Sequence, residues 1–226
     1  MSEFLSGSLW ALVLTAGAYQ LGLYLNKKTG SALLHPILVA TAVIVPFLLL
    51  TGIGNETYQE RMACTSWLLT PCTVCLGISL YNKLSRLRGH LSAVILGVTA
   101  GTATSLLMIW GLSVLFGLDR SVMISLLPKS VTTAMAQPLS EGAGGMVALT
   151  TAAVIVSGIL GSVMGPALCK LFRLKDSLSI GTAYGTASHV VGTTRAAQRS
   201  EFCAAVSSLS LVVAGLETAV VFSFLG

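Results

Sequence analysis

The sequence predicts an all-α polytopic membrane protein: about six full transmembrane helices plus two broken or re-entrant segments. Three observations carry this. Of 226 residues, 54% are hydrophobic and only 9% are charged, with a mean hydropathy of +0.86, so a water-exposed globular surface cannot be built. Six apolar runs approach the roughly 20 residues that a helix needs to cross a bilayer. Two further stretches, 121 to 145 and 177 to 199, are interrupted by polar residues where a span would continue with Leu and Val.

The six runs cover roughly residues 4 to 25, 33 to 53, 62 to 81, 91 to 118, 146 to 169 and 202 to 225. The first has no basic residues before it and no small-residue cleavage pattern after it, since Asn26, Lys27 and Lys28 follow directly; it reads as a retained span rather than a signal peptide. Pro36, Pro46, Pro71 and Pro166 sit inside or at the ends of runs and predict kinks. Gly97 with Gly101, and Gly161 with Gly165, are small-xxx-small pairs that let helices approach closely. Cys64, Cys72, Cys75, Cys169 and Cys203 all lie in or beside apolar runs. Their odd count argues against a disulfide framework, and the Cys72–Cys75 pair lacks a second ligand pair for zinc.

The interrupted stretches hold the polar chemistry. In 121 to 145, Pro128 breaks the run and Lys129, Ser130, Thr132 and Thr133 follow. A lysine at such a break reads either as an anion site, with the ammonium beside the free amides of a new helical turn, or as a snorkelling side chain at a helix end. The first reading is favoured. The stretch Ser177 to Thr194 has three glycines, many hydroxyls and His189; it makes a poor lipid-facing helix and suits a segment packed beside a polar cavity. Ser188, His189, Thr193 and Thr194 join Lys129, Ser130, Thr132 and Thr133 as candidate substrate-binding residues. Glu217, in the last span, pairs with Lys129, carries a coupling proton or snorkels; the pairing is favoured.

Positive-inside counting places Lys27 and Lys28, the 83 to 88 loop, the 170 to 175 loop and Arg195 with Arg199 in the cytoplasm. This works when 121 to 145 dips from the outer face and 177 to 199 dips from the inner face. The rival scheme has both segments cross fully. With limbs of 7 to 10 residues and about 1.5 Å rise per residue, two dipping tips meet near the middle of a ~30 Å core. No metalloprotease, P-loop or nucleophile-elbow motif is present, so catalysis is the least supported class, and no nucleic-acid module is visible.

The strings LLPKSVTTAMA (126 to 136), GILGSVMGP (158 to 166), GTASHVVGTTRA (185 to 196) and AAVSSLSLVVAG (204 to 215) resemble the LrgB/CidB family of bacterial inner-membrane proteins. The match in order and spacing covers essentially the whole chain as one integral membrane domain, 1 to 226. The resemblance implies a multi-pass protein of the bacterial inner (cytoplasmic) membrane, antiholin-like, linked to murein hydrolase activity and autolysis with a small LrgA/CidA-type membrane partner. It also implies relation to plastid glycolate and glycerate carriers and to bacterial pyruvate uptake. Two departures stand out: Ala134 where the family usually has proline, and Glu217 where an uncharged residue is expected. The favoured function is therefore a secondary transporter of small monocarboxylates (glycolate, glycerate, lactate or pyruvate), with the antiholin-like regulator as the alternative. Its partners are the carboxylate, the lipid bilayer and the LrgA/CidA-type protein. No cofactor is expected beyond a coupling proton or sodium ion, and whether the chain forms a homo-oligomer stays open.

Overall fold

The structure is a computed structural model and describes residues 9–29, 34, 36–68, 71 and 88–225. The chain divides into two compact units, Met1–Ser79 and Leu80–Gly226.

In the first unit, α1 (Leu9–Thr29) packs on α2 (Pro36–Thr51), and two short helices follow, α3 (Asn55–Arg61) and α4 (Ala63–Trp67). Gly22 makes the α1–α2 approach feasible, because a Cβ there would stand 2.7 Å from the Pro36 carbonyl oxygen. Trp10 is buried between the rings of Phe47 and Tyr58, and the Tyr58 hydroxyl shares a 2.6 Å hydrogen bond with Thr15.

The expectation of six full spans is corrected by the structure. Among the described residues three helices are long and apolar enough to cross a membrane, or four if one bent pair is a single span. Helix α1 has 21 residues, but Tyr19, Gln20, Tyr24 and Asn26 dilute its apolar run. Helix α2 has 16 residues, about 24 Å at 1.5 Å per residue, which is short of a ~30 Å core. It stops where Gly52 turns at φ 67° and meets polar α3 at a bend of 118°. The 62 to 81 run lies largely outside the described residues; its described part holds only the five-residue α4.

The second unit carries the three long helices. They are α5 (Leu91–Leu115), α8 (Val147–Leu171) and α10 (Glu201–Phe222). Between α5 and α8 come α6 (Arg120–Leu126), a 3-10 turn (Leu127–Ser130) and α7 (Thr133–Gly142), while α9 (Ser177–Ala197) stands between α8 and α10. Asp176 and Ser200 cap α9 and α10 by accepting the Ser179 and Cys203 amides at 2.7 and 3.1 Å. Val94 and Val98 of α5 pack against Ala205, Val206 and Leu209 of α10.

Both interrupted stretches are helical hairpins. A straight 21-residue helix would hold its ends about 30 Å apart, yet the Arg199 guanidinium donates to the Lys175 carbonyl at 2.8 Å. Ala196 packs in one cluster with Ile180 and Tyr184. The chain reverses at Ser188 (φ −134°, ψ 15°) and His189 (φ 41°, ψ −133°). In the 121 to 145 stretch the helix breaks at Pro128 and again at Val131, whose backbone is extended. The chain then returns, so that the Met146 amide donates to Ser125 Oγ at 2.7 Å.

The hairpins enter from opposite ends. His90 and Phe202 stack edge to face, which puts the starts of α5 and α10 at one end with Lys175 and Arg199. At the other end Arg120 donates to the Leu225 carbonyl, and Phe222 packs against Ile109 and Met123. The loops at the first end carry Lys170, Arg173, Lys175, Arg195 and Arg199, so it is the basic end. The limbs, of about 10 residues each, reach some 15 Å into the bundle from either end.

Candidate functional site

The two hairpin tips converge on two turns of α8. Val154 packs against Val131 of the first hairpin, and its carbonyl accepts from His189 Nε2 at 3.0 Å. One turn on, Ser157 Oγ donates to the Lys129 carbonyl at 2.6 Å, which satisfies an acceptor freed by the break at Pro128. Gly158 and Gly161 then leave room for the His189 ring and for Ser188. The first hairpin's 3-10 turn and α9 are in direct contact.

Lys129 is half-buried at the first tip. Its ammonium donates to Ser105 Oγ at 3.2 Å and to Ser130 Oγ at 3.3 Å, and the two hydroxyls are 3.1 Å apart. Two of its three N–H donors are thus spent on neutral oxygens, which solvate the charge without neutralising it. A carboxylate would do both. Thr132 sits at the N-cap of α7 with its side chain not capping the helix. The Met135 and Ala136 amides reach back to the Thr132 carbonyl, and the Thr133 and Ala134 amides stand at the positive end of the helix dipole. An ammonium, the Ser105 and Ser130 hydroxyls and the start of α7 together make a local environment for a small anion.

The other expected residues divide. Ser188 and His189 are buried at the second tip, and His189 donates through Nε2, fixing that tautomer. Thr193 Oγ1 donates to the His189 carbonyl at 3.0 Å and lies 2.9 Å from Ser207 Oγ of α10. Thr194 is exposed, with its hydroxyl on the Val191 carbonyl. Glu217 is bonded to Thr99 of α5 rather than to Lys129, and its second oxygen is buried with no hydrogen-bond partner. Ser105 and Ser157 were not legible as site residues, because each is one hydroxyl in an apolar helix; only the contact with Lys129 distinguishes them.

The model of the LrgB-like family matches residues 15–226. The chain belongs to the LrgB-like family. It is similar to the antiholin-like protein LrgB of Bacillus subtilis (strain 168), with 32% identity over 213 residues, 94% of this chain and 92% of the relative. The antiholin-like LrgB proteins of Bacillus mycoides (strain KBAB4) and Bacillus cereus (strain B4264) are also 32% identical, over 94% of this chain and 93% of each relative. No solved structure matches. Membership and the long apolar helices make this a multi-pass α-helical protein of the bacterial inner membrane.

Proposed function

We propose that this LrgB-like protein carries a small monocarboxylate of the glycolate, glycerate, lactate or pyruvate class across the membrane. One observation carries the proposal: Lys129 sits half-buried on two neutral hydroxyls at the tip of one broken helix, where the tip of the other meets it. An ammonium in a bilayer interior costs about 2.5 to 3.5 kcal/mol on insertion scales, and a function that needs an anion offsets that cost. Thr132, Thr133, Ser188 and one hydroxyl of the Ser105–Ser130 pair offer donors for the hydroxyl or keto group beside the carboxylate. On this reading the chain shares an activity with plastid glycolate and glycerate carriers, and a proton or sodium ion drives uptake. The test is substrate flux by the purified protein in proteoliposomes. Saturable uptake of one of these acids is expected; absence of flux for all four would overturn the reading.

A second reading is favoured by the relatives themselves, each of which is called an antiholin-like protein. In it the chain restrains a small LrgA/CidA-type membrane protein and thereby murein hydrolase activity. The decisive measurement is lysis in a deletion strain complemented with Lys129→Met: restored control of lysis without flux would favour regulation.

A further inference from the structure

The two hairpins stand on one repeated plan. Helices α5 and α8 are each 25 residues long, and they end in the same turn. Phe116 N–H bonds the Leu112 carbonyl and Leu118 N–H bonds that of Ser113; 56 positions on, Phe172 and Leu174 bond Leu168 and Cys169 in the same way. The residue between lies at positive φ in both, Gly117 at 61° and Arg173 at 56°. An aspartate then heads each hairpin, Asp119 or Asp176. On the return limbs the pattern TTxxAQ recurs, at Thr132 to Gln137 and at Thr193 to Gln198. Position 15 of each long helix meets the following tip: Ser105 touches Ser130, and Gly161 makes room for Ser188. Since α5 and α8 run in opposite directions, the copies are inverted, as in many secondary transporters.

Besides the chemistry of their turns, the copies differ in what fills the space beside each tip. Beside the second hairpin a cavity of about 220 Å³ runs from Gly161 and Ser188 past Gly165 and Tyr184 to Cys169 and Phe172, toward the basic end. In the first copy Ile109 occupies the place of Gly165 and packs with Ile124 and Leu127 into a closed core. Ser113, the counterpart of Cys169, is 3% exposed and its hydroxyl is buried without a partner. The Thr99 and Thr104 hydroxyls of the same helix bond a carbonyl one turn back, whereas among the described residues Ser113 shares an unpartnered buried hydroxyl with Thr102 and Thr186.

We propose that the cavity beside Cys169 and the closed packing around Ile109 and Ser113 are the two halves of one route for a small monocarboxylate. The structure holds the half at the basic end open and the other half closed, and exchange of the two hairpin conformations opens the Ser113 half to the opposite face. Ser113 is then a wall residue of a water-filled cleft in the second state, where water meets its hydroxyl. The inference rests on the transport reading above.

The test uses full-length chains with a single thiol in proteoliposomes, the native cysteines otherwise replaced by alanine. One chain keeps Cys169 and another carries Ser113→Cys, a near-isosteric change. A membrane-impermeant maleimide is applied at each face, with and without a pyruvate gradient. Without pyruvate, Cys169 should label from the basic face at least tenfold faster than the Ser113→Cys thiol labels from the opposite face. Pyruvate turnover should raise the second rate several-fold and lower the first. Ile109→Cys serves as a second reporter of the same cleft if Ser113→Cys does not fold. If pyruvate is taken up while neither cleft reporter labels faster, the two-half route is wrong and transport stands. If no acid is taken up yet the two thiols exchange accessibility spontaneously, the route stands and the carboxylate assignment falls. Neither flux nor exchange overturns both.

Discussion

The two hairpins reach the same depth by different means. The first breaks through chemistry: Pro128 removes an amide and Val131 runs extended, and a lysine occupies the gap. The second breaks with neither proline nor glycine at the turn. His189 takes φ 41°, a region that L residues avoid, and its ring is held by the Val154 carbonyl. One hairpin presents a charge, whereas the other presents a strained turn. A helix interrupted inside a membrane needs its freed polar groups met by neighbours, and α8 does this for both tips.

The largest expected effect is at the charged tip. Lys129→Met should leave the protein folded and at least as stable, because an ammonium leaves the membrane interior, but saturable carboxylate uptake should vanish. Lys129→Arg should rescue it only partly, since a planar guanidinium needs more room than an ammonium. Uptake by Lys129→Met with unchanged apparent affinity would mean that the charge distinguishing the hairpins is not the anion site.

Next comes the packing that seats the second hairpin. A Cβ at Gly185 would lie 2.2 Å from the Ser207 carbonyl oxygen, which is backbone and cannot swing away, whereas at Gly111 in α5 it meets nothing within 4 Å. Gly185→Ala should destabilise by about 2 kcal/mol, and Gly111→Ala should stabilise by up to about 1 kcal/mol. Thermal unfolding in detergent checks both signs, and equal effects would show that α9 is not seated on α10 as described.

A smaller effect probes the turn itself. In a helix interior alanine beats glycine by about 1 kcal/mol; at position 189 the order should reverse, His189→Gly being more stable than His189→Ala by about that amount. Melting temperatures of the two variants decide whether the hairpin turns there. Smallest is the cap at the head of the second hairpin. Its hydrogen bond from Ser179 holds the Asp176 carboxyl below the usual carboxylate range, so its stabilisation is present above that range and is lost as pH falls through the lowered value. Asp176→Ala should cost about 1 kcal/mol at neutral pH, and the gap from wild type should close in acid melts.

The sequence made the first hairpin plain and left the second half-hidden, for a physical reason. Pro128 and Lys129 are local signals, each incompatible with an ordinary span. The turn at Ser188–His189 is set by distant contacts with Val154, Gly158 and Gly161, and no neighbouring residue announces it. Glycine-rich weakness across 177 to 199 located the segment but not its turning point. The three long helices were readable from hydropathy to within about three residues. The count of six failed where polar residues thinned α1 and where Gly52 ended α2 early. The repeat was readable too, as Leu-Phe-x-Leu at 115 to 118 and 171 to 174 followed by TTxxAQ, but only a search for internal periodicity exposes it.

Arg173 occupies a backbone conformation for which its counterpart, Gly117, is the natural choice. A non-glycine residue there gives up on the order of 1 kcal/mol, so that turn is less stable than the alternative already used elsewhere in the same chain. What the arginine adds is a positive charge at the point where α8 leaves the bilayer. An inverted pair presents nearly the same apolar pattern whichever way it is threaded, so hydropathy alone gives the insertion machinery no preference between the two orientations. Arg173 joins Lys170 and Lys175 around the turn after α8, where the turn after α5 has only Arg120 beside Asp119, so the two turns offer unequal positive charge to the bias that keeps basic loops in the cytoplasm.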